Sequence, residues 1–326
     1  VVTVRLPYVH WWSNYRMAKI LSITLNPAID LTVQLDQLKV GEVNRQLTAQ
    51  SHAAGKGLNV AQVLKDLGHE LIVSGFLGQE NRQIFDHHIQ QEQFDNQFIY
   101  VAGQTRQNIK VAEASGQMTD INGKGFFVDT SAKQQLRERL SQLILEVDVI
   151  VIAGSLPQGF SAEELSTLIL WLQSAGKKVA VDTSGVALKA AISAHPWLIK
   201  PNTDELTETY HLPAETFAEQ QHLFASLNSQ IEHIVVSMGE NGVNWLHRTQ
   251  PLHATAPKVT VQSTVGAGDS LLAGMIHGLL SSTSPEETLK TATAIASNAV
   301  TQIGFALPDF AVIEDLKSQI SVQSLS

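Results

Sequence analysis

Short apolar runs alternating with stretches of helical periodicity set the rhythm of this chain. Ile20–Leu25 (ILSITL) is rich in β-branched residues, closes at Asn26-Pro27, and reads as a buried strand. Gly57–Leu67 carries Leu58, Ala61, Val63, Leu64 and Leu67 at helical spacing and meets Gly68 as a C-cap. Further buried strands are predicted at Leu71–Phe76, Val147–Ala153, Lys178–Val181 and Ile234–Ser237. Ser161-Ala162-Glu163-Glu164 is a capping box opening a helix that ends at Gly176. Ser284-Pro285-Glu286-Glu287 opens another, with proline in the favoured first position. Strands alternating with helices imply an α/β fold whose parallel sheet is covered on both faces.

Two stretches break that rhythm. Residues 31–50 and 106–128 alternate polar with apolar positions, as in Thr32-Val33-Gln34-Leu35 and Asn108-Ile109-Lys110-Val111. That is the pattern of strands with one wet face, so both are expected to form a small sheet over the mouth of the main domain.

Composition narrows the class. A chain of 326 residues with 44% hydrophobic and 16% charged content can bury a full core. A net charge of −9 argues against nucleic acid, so an anionic ligand would need a local basic pocket. With no cysteine there is no disulfide, thiolate metal site or cysteine nucleophile. No run approaches the ~18 apolar residues that a membrane helix needs. A cytoplasmic location is therefore expected. Val1–Arg16 precede Met17 and lack the marks of a signal peptide, and the run from Met17 leads straight into a strand. Residues 1–16 read as an extension outside the fold, with 17–326 as the domain.

The chemistry concentrates in Ser263-Thr264-Val265-Gly266-Ala267-Gly268-Asp269-Ser270, followed by an apolar run. Its glycines permit a tight turn with exposed N–H groups at a helix N-terminus, an arrangement that favours phosphate. Asp269 stands inside that anion hole, where a carboxylate is repelled unless it accepts a proton from an attacking hydroxyl. Ala53-Ala54-Gly55-Lys56-Gly57-Leu58-Asn59 is a second glycine-bearing turn into a helix, but lacks the Ser/Thr of a Walker A loop. Asp30 follows the first strand, at the edge where open sheets bind ligands, and could accept two sugar hydroxyls. Lys200-Pro201-Asn202-Thr203-Asp204-Glu205 could touch nucleotide phosphates and orient Mg²⁺ through water, or be a helix cap with Asn202 and Glu205. Ser237–Gly242 reads as a hairpin turn or a nucleotide-side loop. Ser155 ends another strand, and Arg106 could grip a phosphate bidentately or be a solvated strand residue. Ala292–Ala299 is a close-packing helix face from which Asn298 could reach an adenine. His87-His88 lacks metal spacing, and no Gly-x-Ser-x-Gly elbow supports a serine hydrolase.

Leu25–Asp30, Ala54–Val60, Lys200–Asn202 and Gly266–Asp269, in this order and spacing, resemble the ribokinase/PfkB family of sugar kinases from about Met17 onward. The resemblance implies a ribokinase-like three-layer α/β sandwich with a β-lid, and ATP-dependent phosphorylation of a sugar-phosphate hydroxyl. It places Asp269 as catalytic base, with Gly266, Ala267 and Gly268 as the hole for the moving phosphate. Asp30, Gly55, Lys56, Asn59, Arg106 and Ser155 fall on the substrate side. Lys200, Asn202, Glu205, Ser237, Gly239, Gly242, Thr264 and Asn298 fall on the ATP side, with Mg²⁺ held through nucleotide phosphates and water and Glu205 as a candidate ligand. The Lys56 turn favours fructose 1-phosphate, phosphorylated at C6, over tagatose 6-phosphate or fructose 6-phosphate. An inactive sugar-phosphate-binding regulator is the reading outside the enzyme class. Many ribokinases carry Asp-Thr where this chain has Ser263-Thr264, which leaves dependence on a monovalent cation open. The lid strands could pair between subunits, giving a homodimer.

Overall fold

The computed structural model describes residues 17–325 apart from 248, 303 and 305, so the reading of 1–16 as an extension lies outside the described residues. The chain enters at β1 (Lys19–Thr24), then gives β2 (Ala28–Leu35) and β3 (Thr48–Ala54) to a separate small sheet. Helix α1 (Lys56–Asp66) returns it to the main sheet as β4 (Glu70–Gly78), α2 (Gln83–Gln91) and β5 (Asp95–Val101). A second excursion forms β6 (Arg106–Glu113) and β7 (Met118–Asn122). Regular α/β alternation follows: α3 (Thr130–Leu143), β8 (Val149–Ala153), α4 (Ala162–Ser174), β9 (Lys178–Asp182), α5 (Gly185–Ser193), β10 (Leu198–Ile199). Then come α6 (Thr203–Tyr210), α7 (Phe217–Ser226) and β11 (His233–Ser237), which turns back into β12 (Val243–His247) and β13 (Leu252–Ala254). The chain closes with α8 (Ala267–Leu280), α9 (Pro285–Ala299), α10 (Phe310–Ser318) and β14 (Val322–Ser324).

Among the described residues the main sheet runs β14-β13-β12-β11-β10-β9-β8-β1-β4-β5, parallel from β5 to β11 and antiparallel beyond. Successive strand residues point to opposite faces, so each buried strand feeds two cores. Ile20, Val149 and Val151 pack with Leu58 of α1, Met275 of α8 and Ile295 of α9. Leu21, Ile23 and Ile150 pack on the other face with Leu136, Leu165 and Leu188 of α3, α4 and α5. A parallel sheet covered on both faces is what the apolar runs implied.

The small sheet, ordered β3-β2-β6-β7, corrects the expected boundaries of 31–50 and 106–128. Its first excursion begins at Ala28 and resumes at Thr48, with no strand from 36 to 47; the second is two strands broken at the Gly116 turn and finished before Gly123. Pairing is parallel between β2 and β6 and places Asp30 opposite Asn108.

Ser161 and Glu164 form the full capping box of α4. Ser284 does so only by half: its hydroxyl accepts from the Glu287 N–H, but the Glu287 carboxylate is engaged by Lys317 and Thr291. Tertiary pairing has taken the side chain that would have closed the box.

Candidate active site

The carboxyl ends of β1, β8, β9, β10 and β11 deliver Asn26, Ser155, Asp182, Lys200 and Ser237 to one edge of the sheet. That is where open α/β sheets bind ligands. The N-terminus of α8 is Gly266, at φ +85°, a left-handed conformation that glycine adopts without strain. Ala267, Gly268 and Asp269 form the first turn, whose N–H groups have no helical acceptor. A Cβ at Gly268 would lie 3.1 Å from the Lys200 ammonium, so this glycine lets a buried cation sit against the helix end.

Asp269 is buried, and its Oδ2 accepts from Asn59 Nδ2 at 2.7 Å. Burial, and then the negative charge of Asp182, push its carboxyl up to about 6; Lys56, Asn59 and Lys200 oppose the rise. Asp182 is the organising anion. Its Oδ1 meets Lys56 Nζ at 3.2 Å and its Oδ2 meets Lys200 Nζ at 3.4 Å. Complete burial works to raise its pKa, yet Lys200 and Lys56 hold it below the usual carboxylate range. Lys56 also approaches Glu205 Oε1 at 3.6 Å. Its ammonium is held protonated by Asp182 against the cost of burial, with Glu205 adding to the effect.

Lys56, expected on the substrate side, stands between two carboxylates, Asp182 and Glu205. The glycines flanking it are explained by packing. A Cβ at Gly55 would lie 2.9 Å from Thr24 Cγ2, and one at Gly57 would lie 2.3 Å from Thr24 Oγ1. The turn is pressed onto the end of β1, where Ser22 Oγ donates to the Gly57 carbonyl. Asn59, likewise expected beside the substrate, reaches Asp269. Two carboxylates converging on one cation also suit a hard divalent ion held through water, so Asp182 and Glu205 fit Mg²⁺.

On the other flank Asp30 lies on the small sheet. Asn108 Nδ2 donates to its Oδ1 at 3.1 Å, and Lys110 Nζ faces its Oδ2 at 3.6 Å. Arg106 donates to three backbone carbonyls, those of Asn26 (3.2 Å), Pro27 (3.3 Å) and Gly123 (3.4 Å). It ties β6 to the β1–β2 turn and is not the solvated strand residue of the plainer reading. Ser155 is exposed and its Oγ accepts from Asn26 Nδ2 at 3.1 Å.

Asn202 and Glu205 form a complete capping box on α6, leaving Glu205 Oε1 toward Lys56. The cap reading of this segment therefore holds, and it leaves one carboxylate oxygen of Glu205 outside the cap. Ser237 N–H donates to the Pro201 carbonyl, bringing the two strand ends side by side. Gly239 and Gly242 belong to the β11–β12 hairpin, and Gly242 packs so closely on Ala254 that a Cβ would lie 2.0 Å from its carbonyl oxygen. The Gln262 and Ser263 N–H groups donate to the Val300 carbonyl, which draws Thr264 toward the end of α9 and the buried Asn298.

Asp182, Asn26, Asn108 and Lys110 were not singled out as site residues. A charge closing the apolar run Lys178–Asp182 was the available signal for Asp182, since a buried strand ends in a carboxylate only when something pairs with it. The other three depend on cross-strand register and turn geometry.

The family model for pfkB family carbohydrate kinases matches residues 23–309, and the chain belongs to that family. A 1-phosphofructokinase of Vibrio cholerae serotype O1 is 44% identical over 94% of this chain and 97% of its own length. One from Escherichia coli strain K12 is 37% identical over 94% and 98%. A tagatose-6-phosphate kinase of Staphylococcus epidermidis is 33% identical over 87% and 93%. Among solved structures, phosphofructokinase-2 from Escherichia coli in complex with potassium is 28% identical, with a TM-score of 0.82 over 93% of this chain and 99% of that one. Its tetrameric inhibited form, 26% identical, also gives 0.82 over 93% and 99%.

Proposed function

We propose that this kinase transfers the γ-phosphoryl group of ATP to the C6 hydroxyl of D-fructose 1-phosphate, giving D-fructose 1,6-bisphosphate and ADP. The observation that carries the reading is Asp269, a buried carboxylate in the first turn of α8 with its pKa raised to about 6. A pure anion binder gains nothing from a carboxylate there. As acceptor of a hydroxyl proton near neutral pH it has a use, because a base works best with a pKa close to the working pH. The choice of sugar follows the two 1-phosphofructokinases, which are more similar to this chain than the tagatose-6-phosphate kinase.

In this mechanism Asn59 holds Asp269 toward the C6 hydroxyl, whose proton passes to Asp269 Oδ as the oxygen attacks phosphorus. The Ala267, Gly268 and Asp269 N–H groups and the Lys200 ammonium stabilise charge on the moving phosphoryl oxygens. Asp182 and Glu205 would hold Mg²⁺ through its waters, and the ion when bound would neutralise charge at the nucleotide phosphates. Lys56, Asn202, Ser237, Gly239, Gly242, Thr264 and Asn298 form the ATP side, Lys56 reaching the γ-phosphate from between Asp182 and Glu205. Asp30 accepts sugar hydroxyls, while Arg106 and Ser155 take the C1 phosphate. The small sheet acts as a lid that closes over both substrates and excludes water.

The potassium complex of the E. coli neighbour supports a monovalent-cation requirement, despite Ser263 in place of an aspartate. Exchanging KCl for tetramethylammonium chloride tests it; unchanged activity removes it. Substrate identity is tested by a coupled ADP-release assay on fructose 1-phosphate, tagatose 6-phosphate and fructose 6-phosphate. The highest kcat/KM is expected for fructose 1-phosphate, and a preference for either rival overturns the assignment.

A further inference from the structure

Asn26 closes β1 and is 5% exposed, in the turn from which the small sheet departs. Both hydrogens of its amide are spoken for: Nδ2 donates to Ser155 Oγ at 3.1 Å and to the Leu156 carbonyl at 3.2 Å. The Leu156 carbonyl can only accept, which fixes the orientation of the amide and makes Ser155 Oγ an acceptor in this contact. The serine proton is then directed away from Asn26, on an exposed residue at the sheet's carboxyl edge. The Asn26 backbone carbonyl accepts from Arg106 Nη2 at 3.2 Å. Its Oδ1 is buried with no hydrogen-bond partner, and a Cβ at Gly125, beyond the end of β7, would lie 2.9 Å from it. A buried orphan acceptor is costly unless another donor is served when the site fills.

We propose that Asn26 is a positioning residue for the substrate's phosphate. Its side chain turns the Ser155 hydroxyl into a hydrogen-bond donor, while its backbone carbonyl, which any residue would supply, ties down the arginine beside it. This rests on the assignment of Ser155 and Arg106 to the sugar phosphate. The chemistry is specific to an amide: a carboxylate at this position cannot donate to Leu156 or Ser155, so the serine proton turns inward to it and is withdrawn from the ligand.

The test is steady-state kinetics of Asn26→Asp against wild type, with both substrates varied. A KM for fructose 1-phosphate raised at least tenfold, with KM for ATP near wild type in enzyme that circular dichroism shows to be folded, is the expected result. An unchanged KM for the sugar phosphate, or an equal rise in both KM values, overturns the proposal. Should Asn26→Asp fail to fold, Asn26→Ala alone and combined with Ser155→Ala reads the same coupling. The double variant is expected to have the sugar-phosphate KM of Ser155→Ala alone, whereas effects that multiply contradict the proposal. Wild-type enzyme that releases no ADP with fructose 1-phosphate fails the functional assignment instead, and that is seen before any variant is made.

Discussion

At Asp269 the chain places a carboxylate among groups that would rather bind an anion, and Asp182 keeps it usable. Burial, and then the Asp182 charge, raise the Asp269 pKa while Lys56 and Lys200 restrain it, so Asp182 tunes the proton affinity of the base. For wild type, kcat/KM is expected to fall as pH drops through about 6. Asp182→Asn removes a charge that raises Asp269, so the acid limb of that profile should move to lower pH whatever the change in rate. An unmoved limb would detach Asp182 from the base. Linkage gives a second check. A carboxyl raised above its unfolded value favours folding below the unfolded pKa, and that contribution is lost as pH rises through about 6. Asp269→Asn should therefore melt higher than wild type at pH 8, by roughly 2 °C or more. The gain should shrink as pH falls through 6 toward 4. Asp269 itself was legible in the sequence because a glycine-rich turn and an apolar helix bracket it. Asp182 was not, since its partners come from positions 56 and 200 and only folding unites them.

At the scale of elements, continuous apolar runs were the most readable features. β1, β4, β8 and β9 are buried on both faces, and nothing competes with that pattern. The small sheet was readable as alternation but not in its limits, because loop 36–47 carries the exposed apolar residues Val40, Val43 and Leu47 that mimic strand positions. Ser284 shows the same lesson from a helix end, where a tertiary ion pair with Lys317 overrides the local capping pattern. The stripe of small residues on α9 is read correctly as close packing. A Cβ at Gly274 of α8 would lie 2.6 Å from the Ala292 Cα, a backbone contact that cannot yield without moving a helix. Gly274→Ala should lower stability by roughly 1–3 kcal/mol, measured by urea unfolding. Because α8 carries Asp269 in its first turn, turnover should fall as well. A variant of unchanged stability would show that the two helices can separate freely.

At the scale of the whole molecule, the parallel strands β5 to β11 bring their carboxyl ends to one edge, and the small sheet departs from that edge at β1 through the turn at Asn26. No helix among the described residues is long and apolar enough to cross a membrane. Met118 and Ile121 lie exposed on the edge strand β7 of the small sheet, and Val40 and Val43 in the loop that joins β2 to β3. We propose that these edges pair between two copies as a homodimer. Sedimentation velocity should give the mass of a dimer, and Ile121→Lys should return a monomer; a monomeric wild type contradicts this. The chemistry converges on phosphoryl transfer at the N-terminus of α8. Its most direct test is ADP release from ATP and fructose 1-phosphate by wild type and Asp269→Asn side by side. Wild type should turn over, with the variant slower by at least about a hundredfold while both KM values stay within a few-fold. An Asp269→Asn enzyme working at near wild-type rate would contradict the account.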